Sequence, residues 1–225
     1  MSGSIVEFKV NGRTTDGYLA IPPSGKGPGL IVIQEWWGLV PHIEDVVERF
    51  ARDGFAAIAP DLYHGKTAGS PDEAGRMLME LDADRAEKEI AAASTYLLSR
   101  PECTSKTYGV IGFCMGGALA QYTATKEKSV GAAVSFYGGF KKVSSNWPGL
   151  AAPILLIYAE NDQGVLIAQG RALAKQIEEL GKEVQLVTYP NADHAFFNDT
   201  GRTYDATAAA DAWKRTIDFF RANVT

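Results

Sequence analysis

The sequence is poor in cysteine and in histidine. Its 225 residues include two cysteines and three histidines, and two cysteines cannot form the disulfide framework of a small secreted domain. We therefore expect two free thiols in a reducing, cytoplasmic environment. The sequence also shows no cluster of metal ligands and no glycine-rich phosphate loop, so it predicts neither a bound metal nor a cofactor.

Long apolar runs and blocks of positive charge are also missing. The longest apolar runs, such as Ala151–Ala159, are far shorter than the ~20 residues that cross a bilayer. Met1–Val10 lacks the basic start and the apolar core of a secretory signal. The formal net charge is −5 and the lysines and arginines are scattered, which argues against nucleic-acid binding. We expect a small-molecule substrate and no membrane or nucleic-acid partner; the sequence specifies no oligomeric state.

The composition that remains is that of an ordinary globular domain. Apolar residues make up 46% and charged residues 22% of the chain, close to the averages for globular proteins. This length suits one α/β domain, so we predict a single domain over residues 1–225. Ser4–Val10 and Thr15–Ile21 alternate apolar and polar residues around Asn11-Gly12, which predicts an N-terminal antiparallel hairpin.

After the hairpin, apolar runs typical of buried strands alternate with segments of helical periodicity. The predicted strands are Gly29–Gln34, Phe55–Ala59, Tyr108–Phe113, Val130–Phe136, Ile154–Tyr158 and Val184–Tyr189. The predicted helices cover Ile43–Phe50, Pro71–Ser99 with a break inside it, Met115–Lys126, Val165–Leu180 and Ala206–Phe220. This alternation indicates the α/β class, with a mainly parallel sheet of about eight strands and helices on both faces.

One turn carries a pattern associated with nucleophilic catalysis. Gly112-Phe113-Cys114-Met115-Gly116-Gly117 joins a predicted strand to a predicted helix and fits the nucleophile elbow G-x-S-x-G with cysteine in the serine position. A thiol there faces a helix N-terminus, which favours the nucleophilic thiolate. The backbone N–H of Met115 would donate to the oxyanion. The alternative is a tight turn that buries a structural cysteine. Cys103, in a loop-like connector, is interpreted as a structural thiol.

A cysteine nucleophile needs a base, and histidine suits that role at neutral pH. His194 lies in a loop after the last predicted strand, whereas His42 starts a helix and His64 lies in a turn-rich loop. The order nucleophile, acid, histidine is that of α/β-hydrolases, which favours His194. A solvent-exposed surface histidine is the alternative interpretation.

The acid is expected after the strand Ile154–Tyr158. Asp162 follows this strand, where loops at the carboxyl ends of parallel strands converge. Glu160 and Asp193 are the other candidates. Asp162 has a further interpretation as the N-cap of the helix Val165–Leu180.

Taken together, the motifs resemble the dienelactone hydrolase (carboxymethylenebutenolidase) family, which has the α/β-hydrolase fold. The resemblance covers nearly the whole chain and rests on Gln34-Glu35-Trp36-Trp37-Gly38, Pro60-Asp61-Leu62-Tyr63, the Gly112–Gly117 turn, Glu160-Asn161-Asp162 and Asp193-His194-Ala195-Phe196. It implies a triad of Cys114, Asp162 and His194. It also implies that Glu35 helps to generate the thiolate when substrate binds, and that the backbone N–H of Trp36 is the second oxyanion donor.

Several aromatic residues are candidates for the walls of a substrate pocket. These are Trp37, Phe136, Tyr137 and Phe197, together with the side chain of Trp36. Aromatic residues that follow buried strands more commonly pack in the core, so packing is the alternative for each of them.

The sequence departs from the family at the two arginines that hold the carboxylate of an acidic dienelactone. The corresponding positions fall near Pro71 and Asn198, and neither is basic. Arg76 and Arg202 lie close by and are candidates to replace them, with ordinary surface arginines as the alternative. We therefore expect the preferred substrate to be a neutral ester or lactone, or one whose charge lies elsewhere, and not the small acidic dienelactone.

Four functional classes can be weighed against the sequence. The favoured one is a carboxylic-ester or lactone hydrolase that forms an acyl-enzyme on Cys114. A non-catalytic binding protein on the same scaffold is the main alternative, because a fold does not prove a chemistry. A redox-active thiol lacks a Cys-x-x-Cys pair, and a peptidase lacks a recognisable peptide subsite.

Overall fold

The N-terminus forms the hairpin that the sequence predicts. A computed structural model describes residues 3–225; Met1 and Ser2, at the start of the stretch judged not to be a signal, lie outside the described residues. Strands β1 (Ser4–Val10) and β2 (Arg13–Ala20) pair antiparallel. Asn11 and Gly12 between them have φ values of 49° and 81°, the left-handed conformation of an Asn-Gly hairpin turn.

The rest of the chain alternates strands and helices as expected. The strands are β3 (Gly27–Ile33), β4 (Ala56–Pro60), β5 (Cys103–Phe113), β6 (Val130–Phe136), β7 (Ile154–Ala159) and β8 (Val184–Tyr189). The helices are α1 (Pro41–Arg52), α2 (Pro71–Glu80), α3 (Ala83–Leu98), α4 (Met115–Lys126), α5 (Ile167–Glu179) and α6 (Ala206–Asn223), with a 3₁₀ turn at Trp147–Gly149.

The eight strands form one sheet in the order β1-β2-β4-β3-β5-β6-β7-β8. From β4 to β8 all neighbours are parallel, and β2 near one edge is antiparallel to both of its neighbours, β1 and β4. The predicted fold class, a mainly parallel sheet of eight strands with an antiparallel N-terminal pair, is therefore confirmed.

Helices cover both faces of this sheet. Successive residues of a strand point to opposite faces, and β3 shows the consequence. Leu30 and Val32 join the apolar cluster that contains α1 and α6, whereas Ile31 and Ile33 join the cluster that contains α3, α4 and α5. Burial on both faces explains why the central strands are uninterrupted apolar runs. None of the helices between residues 3 and 225 combines the length and the apolar character needed to cross a membrane.

Two details differ from the prediction or refine it. The helical stretch from Pro71 breaks at Leu81, and α3 starts with an N-cap at Asp82, whose side chain accepts a hydrogen bond from the N–H of Arg85 (3.0 Å). Cys103 is not in a loop but is the first residue of β5, because the strand extends to pair with Gly27 after a register shift.

Candidate active site

The central feature of the site is the turn between β5 and α4. Cys114 stands there with φ 54° and ψ −116°, a left-handed conformation that a non-glycine residue adopts only when its surroundings enforce it. The N–H of Cys114 donates to the carbonyl of Phe136 (3.1 Å), and its carbonyl accepts from the N–H of Gly139 (3.4 Å). The neighbouring β6 and its following loop therefore hold the strained residue in place.

The two glycines of the turn are required by close backbone contacts. A Cβ on Gly112 would lie 2.0 Å from the carbonyl oxygen of Gly116. A Cβ on Gly116 would lie 2.4 Å from the carbonyl oxygen of Gln34. Contacts of this kind with backbone atoms cannot be relieved by a side-chain rotation, so both positions admit only glycine and the spacing G-x-C-x-G follows from sterics.

Asp162 and His194 are in direct contact. Asp162 Oδ2 lies 2.5 Å from His194 Nδ1, and the aspartate side chain is 0% exposed. Asp162 Oδ1 accepts from the N–H groups of Gly164 and Val165, both at 2.8 Å. Burial would raise the pKa of Asp162, but the hydrogen bond with His194 and these two N–H donors hold it below its usual range. The carboxylate is thus charged and oriented by the turn that carries it.

This arrangement decides between the candidate acids. Helix α5 begins at Ile167 with Leu166 as N-cap, so Asp162 binds the preceding turn and does not cap the helix. Glu160 instead accepts from Thr188 Oγ1 (2.6 Å) and Arg171 Nη2 (3.0 Å). Asp193 is exposed. Of the three candidates, the structure brings only Asp162 to the histidine.

His194 lies between the carboxylate of Asp162 and the thiol of Cys114. Burial would lower its pKa, but the hydrogen bonds and charges of Asp162 and Cys114 outweigh burial and raise the pKa of His194 to about 10. Thr203 Oγ1 donates to the backbone carbonyl of His194 (2.7 Å), which fixes the loop. At neutral pH, His194 is therefore mainly in its imidazolium form, next to the sulfur of Cys114.

Glu35, just beyond the end of β3, is 2% exposed and has neutral hydrogen-bond partners. Asn198 Nδ2 donates to Oε2 (2.9 Å), and the Tyr137 hydroxyl donates to Oε1 (3.4 Å). Burial raises the pKa of Glu35, although these donors and the charges of two histidines oppose the shift. Asn198, near which the second arginine of the family was expected, thus contacts the buried carboxyl group.

Two tyrosines complete the surroundings of Cys114. Tyr137 is fully buried with φ 38°, and its ring centre lies 5.0 Å from that of His194. Tyr63 places its hydroxyl 3.4 Å from the sulfur of Met115, and burial together with the charge of Cys114 raises the pKa of Tyr63 to about 12. In the sequence Tyr63 stands out only as part of the Pro60–Tyr63 motif, because its contact with Met115 depends on how that loop folds against α4.

The other predicted pocket residues separate into two groups. Trp36 and Trp37 are half-buried, with ring centres 5.3 Å apart, just after Glu35. Phe197 is 0% exposed and stacks on Phe113 at 5.1 Å and on Trp213 at 5.9 Å. The structure therefore places Phe197 in the core and not at a pocket wall, because its loop turns inward after His194. Met115 opens α4, where the first N–H groups have no partner within the helix.

Neither candidate arginine contacts the site. Arg76 is exposed on α2, where it lines a surface cleft of about 460 Å³ with Lys66 and Thr67. Arg202 is exposed in the loop before Thr203. In residues 3–225 neither side chain forms a hydrogen bond or ion pair with Cys114, Asp162 or His194.

Comparison with known proteins agrees with this architecture. The model of the dienelactone hydrolase family matches residues 15–224. The chain is 39% identical to the protein usf of Aquifex pyrophilus, covering 99% of this chain and 100% of that protein. The fold resembles that of the dienelactone hydrolase from Anabaena variabilis, with a TM-score of 0.76 and 23% identity over 100% and 99% of the two chains.

A second solved structure is similar along the full length of both chains. It is a dienelactone hydrolase-like promiscuous phosphotriesterase from metagenomic libraries, with a TM-score of 0.86 and 23% identity over 100% of each chain. At such identities the solved structures support the fold, whereas the match of the family model to residues 15–224 establishes the membership. The chain belongs to the dienelactone hydrolase family, whose members are ester and lactone hydrolases of the α/β-hydrolase fold.

Proposed function

We propose that this protein hydrolyses a carboxylic ester or lactone with Cys114 as nucleophile, His194 as proton-transfer group and Asp162 as the acid that orients it. The observation that carries the proposal is the 2.5 Å contact between Asp162 and His194, made beside a cysteine held in a strained elbow. This combination of nucleophile, base and orienting acid is recognised by geometry across unrelated folds.

The first half-reaction acylates the cysteine. The thiolate of Cys114, paired with the imidazolium of His194, attacks the carbonyl carbon, and the π electrons of the C=O bond move to oxygen. The N–H groups of Met115 and Trp36 donate to that oxyanion, and one such donor is worth about 2.7–4 kcal/mol. The oxyanion collapses and expels the alkoxide, which takes the proton of His194. The products are a thioester on Cys114 and an alcohol. For a lactone, the alcohol is a hydroxyl group on the same acyl chain.

The second half-reaction releases the acid. His194, now neutral, accepts a proton from a water molecule as its oxygen attacks the thioester. The second tetrahedral intermediate expels the Cys114 thiolate, which restores the thiolate and imidazolium pair. The carboxylic acid product ionises to the carboxylate and a proton. Asp162 stays charged throughout and stabilises the imidazolium in both steps.

Glu35 and the aromatic residues have supporting roles in this proposal. By resemblance to the family, Glu35 participates in forming the thiolate when substrate binds. Tyr137 contacts both Glu35 and the ring of His194, so it positions these groups. Trp36 and Trp37, half-buried beside Glu35, are the aromatic residues that we place at the substrate.

The preferred substrate is a small neutral ester or lactone. A planar carboxylate is best held by the bidentate fork of arginine, but Pro71 opens α2 and the amide of Asn198 already donates to Glu35. The two free cysteines favour a reducing compartment, and we propose that the protein acts in the cytoplasm.

The decisive experiment is mass spectrometry of the intact protein during turnover. With a slowly hydrolysed p-nitrophenyl ester, the protein should gain the mass of one acyl group, mapped by peptide analysis to Cys114. Cys103→Ala is the matched control and should acylate normally, whereas Cys114→Ala should not acylate. Rapid hydrolysis of a panel of esters and lactones by Cys114→Ala would refute the mechanism.

A further inference from the structure

The turn that follows β4 carries a sequence motif that the proposed mechanism does not use. Its first residue, Asp61, is 6% exposed, and its carboxylate accepts hydrogen bonds from the N–H groups of Tyr63 (3.0 Å) and Gly65. His64 and Gly65 have φ values of 55° and 82°, which reverse the chain. The side chain of Asp61 therefore fixes the backbone of the turn and the place from which Tyr63 projects.

A second contact ties this turn to the end of β3. Gln34, which directly follows β3 and is 0% exposed, accepts a hydrogen bond from the N–H of Leu62 through its side-chain Oε1 (3.3 Å). The backbone carbonyl of Gln34 packs against the first turn of α4, where a Cβ on Gly116 would lie 2.4 Å from its oxygen. Gln34 thus contacts both the turn after β4 and the N-terminus of α4.

Tyr63 reaches from this turn to the first residue of α4. Its hydroxyl donates to the sulfur of Met115 (3.4 Å), which is a weak acceptor, and the two residues are 7% and 0% exposed. A methionine side chain has three rotatable bonds and adapts its shape easily. A buried donor at its sulfur restricts this freedom, so Tyr63 holds the side chain of Met115.

The position of Met115 matters because of the strained residue before it. Cys114 has φ 54° and ψ −116°, so the peptide that joins it to Met115 does not have the orientation of a regular helical peptide. Such a conformation persists only where the surrounding structure enforces it. The N–H of this peptide is the one that the proposed mechanism directs at the oxyanion.

We propose that Tyr63 is a positioning residue of the oxyanion hole, because it holds Met115 and thereby fixes the direction of the Met115 N–H. The inference rests on the proposed function, in which this N–H donates to the oxyanion. Tyr63 does not touch the substrate in this role. Its loss should slow both half-reactions, since the ester and the thioester place their carbonyl oxygens in the same hole. A donor that acts mainly in the transition state affects kcat more than KM.

The experiment compares Tyr63→Phe, which removes only the hydroxyl, with Met115→Leu, which keeps a side chain of similar volume but removes the sulfur. Each should lower kcat by about three- to tenfold with little change in KM, the range of one weak hydrogen bond and less than the loss of a whole oxyanion donor. The two effects should not add in the double variant, because both substitutions remove the same contact.

An infrared measurement separates positioning from stability. Hydrogen bonds to the thioester oxygen lower the C=O stretching frequency of the acyl-enzyme, which is formed with a slowly hydrolysed ester whose carbonyl carbon is isotope-labelled. Tyr63→Phe and Met115→Leu should therefore both raise this frequency. Tyr122→Phe is the matched control, because the Tyr122 hydroxyl also secures α4, by donating to Asp84 (2.6 Å), but about two turns beyond Cys114. It should change neither the frequency nor kcat.

An unchanged C=O frequency in both Tyr63→Phe and Met115→Leu would overturn the inference, and so would an equal rise in Tyr122→Phe. If one of the first two variants does not fold, the other decides the matter. The absence of an acyl group on Cys114 in the wild-type protein would refute the proposed function itself, and this inference with it. The two failures are therefore distinguishable.

Discussion

Two histidine–carboxylate pairs in this protein have opposite electrostatic states. In one, Asp162 and His194 are 2.5 Å apart and the pKa of His194 is raised to about 10. In the other, His64 Nε2 lies 3.4 Å from Glu89 Oε1 on α3. Burial and the charge of Arg85 lower the pKa of His64, and burial raises the pKa of Glu89 to about 7. A histidine beside a carboxyl group is thus part of an ion pair in one place and neutral in the other.

The neighbours of each carboxylate explain the difference. Asp162 accepts two backbone N–H groups, which keep it ionised despite burial. Glu89 has an ion pair with Arg85 (3.3 Å), but its Oε2 atom is buried with no hydrogen-bond partner within residues 3–225. Arg85 also contacts His64 Nε2, so a positive charge opposes protonation of that ring. Proximity of a histidine and a carboxylate is therefore not enough for catalysis. The carboxylate also needs hydrogen-bond donors that keep it ionised, and the histidine needs a nucleophile beside it.

The largest expected effect concerns the nucleophile, which only the His194 pair has. Cys114→Ala should lower kcat/KM by about 10⁴-fold or more, because the covalent step is lost. Iodoacetamide should inactivate the protein by labelling Cys114 faster than Cys103, as His194 favours the thiolate. The rates are read from peptide mapping alongside residual activity. If hydrolysis were undiminished after complete alkylation of Cys114, confirmed by peptide mapping, Cys114 would not be the nucleophile of the His194 pair.

The second-largest expected effect on activity comes from replacing the carboxylate of each pair by an amide, at Asp162 and at Glu89. Asp162→Asn should lower kcat/KM by about 10²–10⁴-fold, because the amide N–H₂ cannot accept from His194 Nδ1–H and favours the wrong tautomer. The amide oxygen still accepts from Gly164 and Val165, so the turn should persist. Glu89→Gln should leave activity within a few-fold of wild type.

Two further measurements check the assignment of the acid. The losses in His194→Ala and Asp162→Asn should not add in the double variant, since the residues act as one unit. Glu160→Gln and Asp193→Asn serve as controls and should be nearly silent. If Asp162→Asn left kcat/KM unchanged while Glu160→Gln or Asp193→Asn lowered it, Asp162 would not be the acid of the triad.

Arginine distinguishes the two pairs as well, since Arg85 contacts His64 whereas neither Arg76 nor Arg202 contacts the triad. The enzyme should therefore prefer the uncharged methyl ester of a dienelactone to the acid by at least ~10² in kcat/KM, the value of two lost charge-assisted contacts. The measurement compares both substrates at fixed ionic strength. A preference for the acid that disappears in Arg76→Ala or Arg202→Ala would identify an anion site instead.

The smallest effect is on stability. The pKa of Glu89 is about 7 in the folded protein against 4.5 as its ordinary value, so the folded state binds more protons between these values. Its contribution to stability is complete below about pH 4.5 and is lost as the pH rises through 7. Glu89→Gln removes this dependence. It should stabilise the protein on the order of 1–3 kcal/mol near pH 8 and little near pH 5, as measured by urea unfolding. Equal effects at both pH values would contradict the assigned shift.

The fold and the triad candidates were accessible from local sequence pattern because each depends on short-range constraints. Hairpin alternation, buried strand runs and the glycines of the elbow all reflect geometry within a few residues. The order of strands also brings the residues after β5 and β7, and the loop after β8, to one edge of the sheet. Cys103 was misplaced because the extension of β5 depends on pairing with Gly27, which is distant in sequence.

Contacts across the sheet edge were not accessible in the same way. Phe197 and Asn198 are neighbours in a loop, yet one packs in the core and the other donates to Glu35. Their directions depend on how the loop turns after His194, where Ala195 has φ 62°. His42 lies at the start of a helix in the sequence, and its contact with Asp199 at 3.2 Å forms only in the folded chain because the two residues are 157 positions apart.

The sequence by itself determined the α/β fold, the elbow around Cys114 and the chain order that selected Asp162 and His194 as candidates. These follow from periodicity and from sterics that act over a few residues. The tertiary structure alone decided which carboxylate reaches His194 and that the side chain of Asn198 donates a hydrogen bond to Glu35. The physical reason is that hydrogen bonds and charges act over a few ångströms in space, and residues 163 positions apart, such as Glu35 and Asn198, reach that range only in the folded chain.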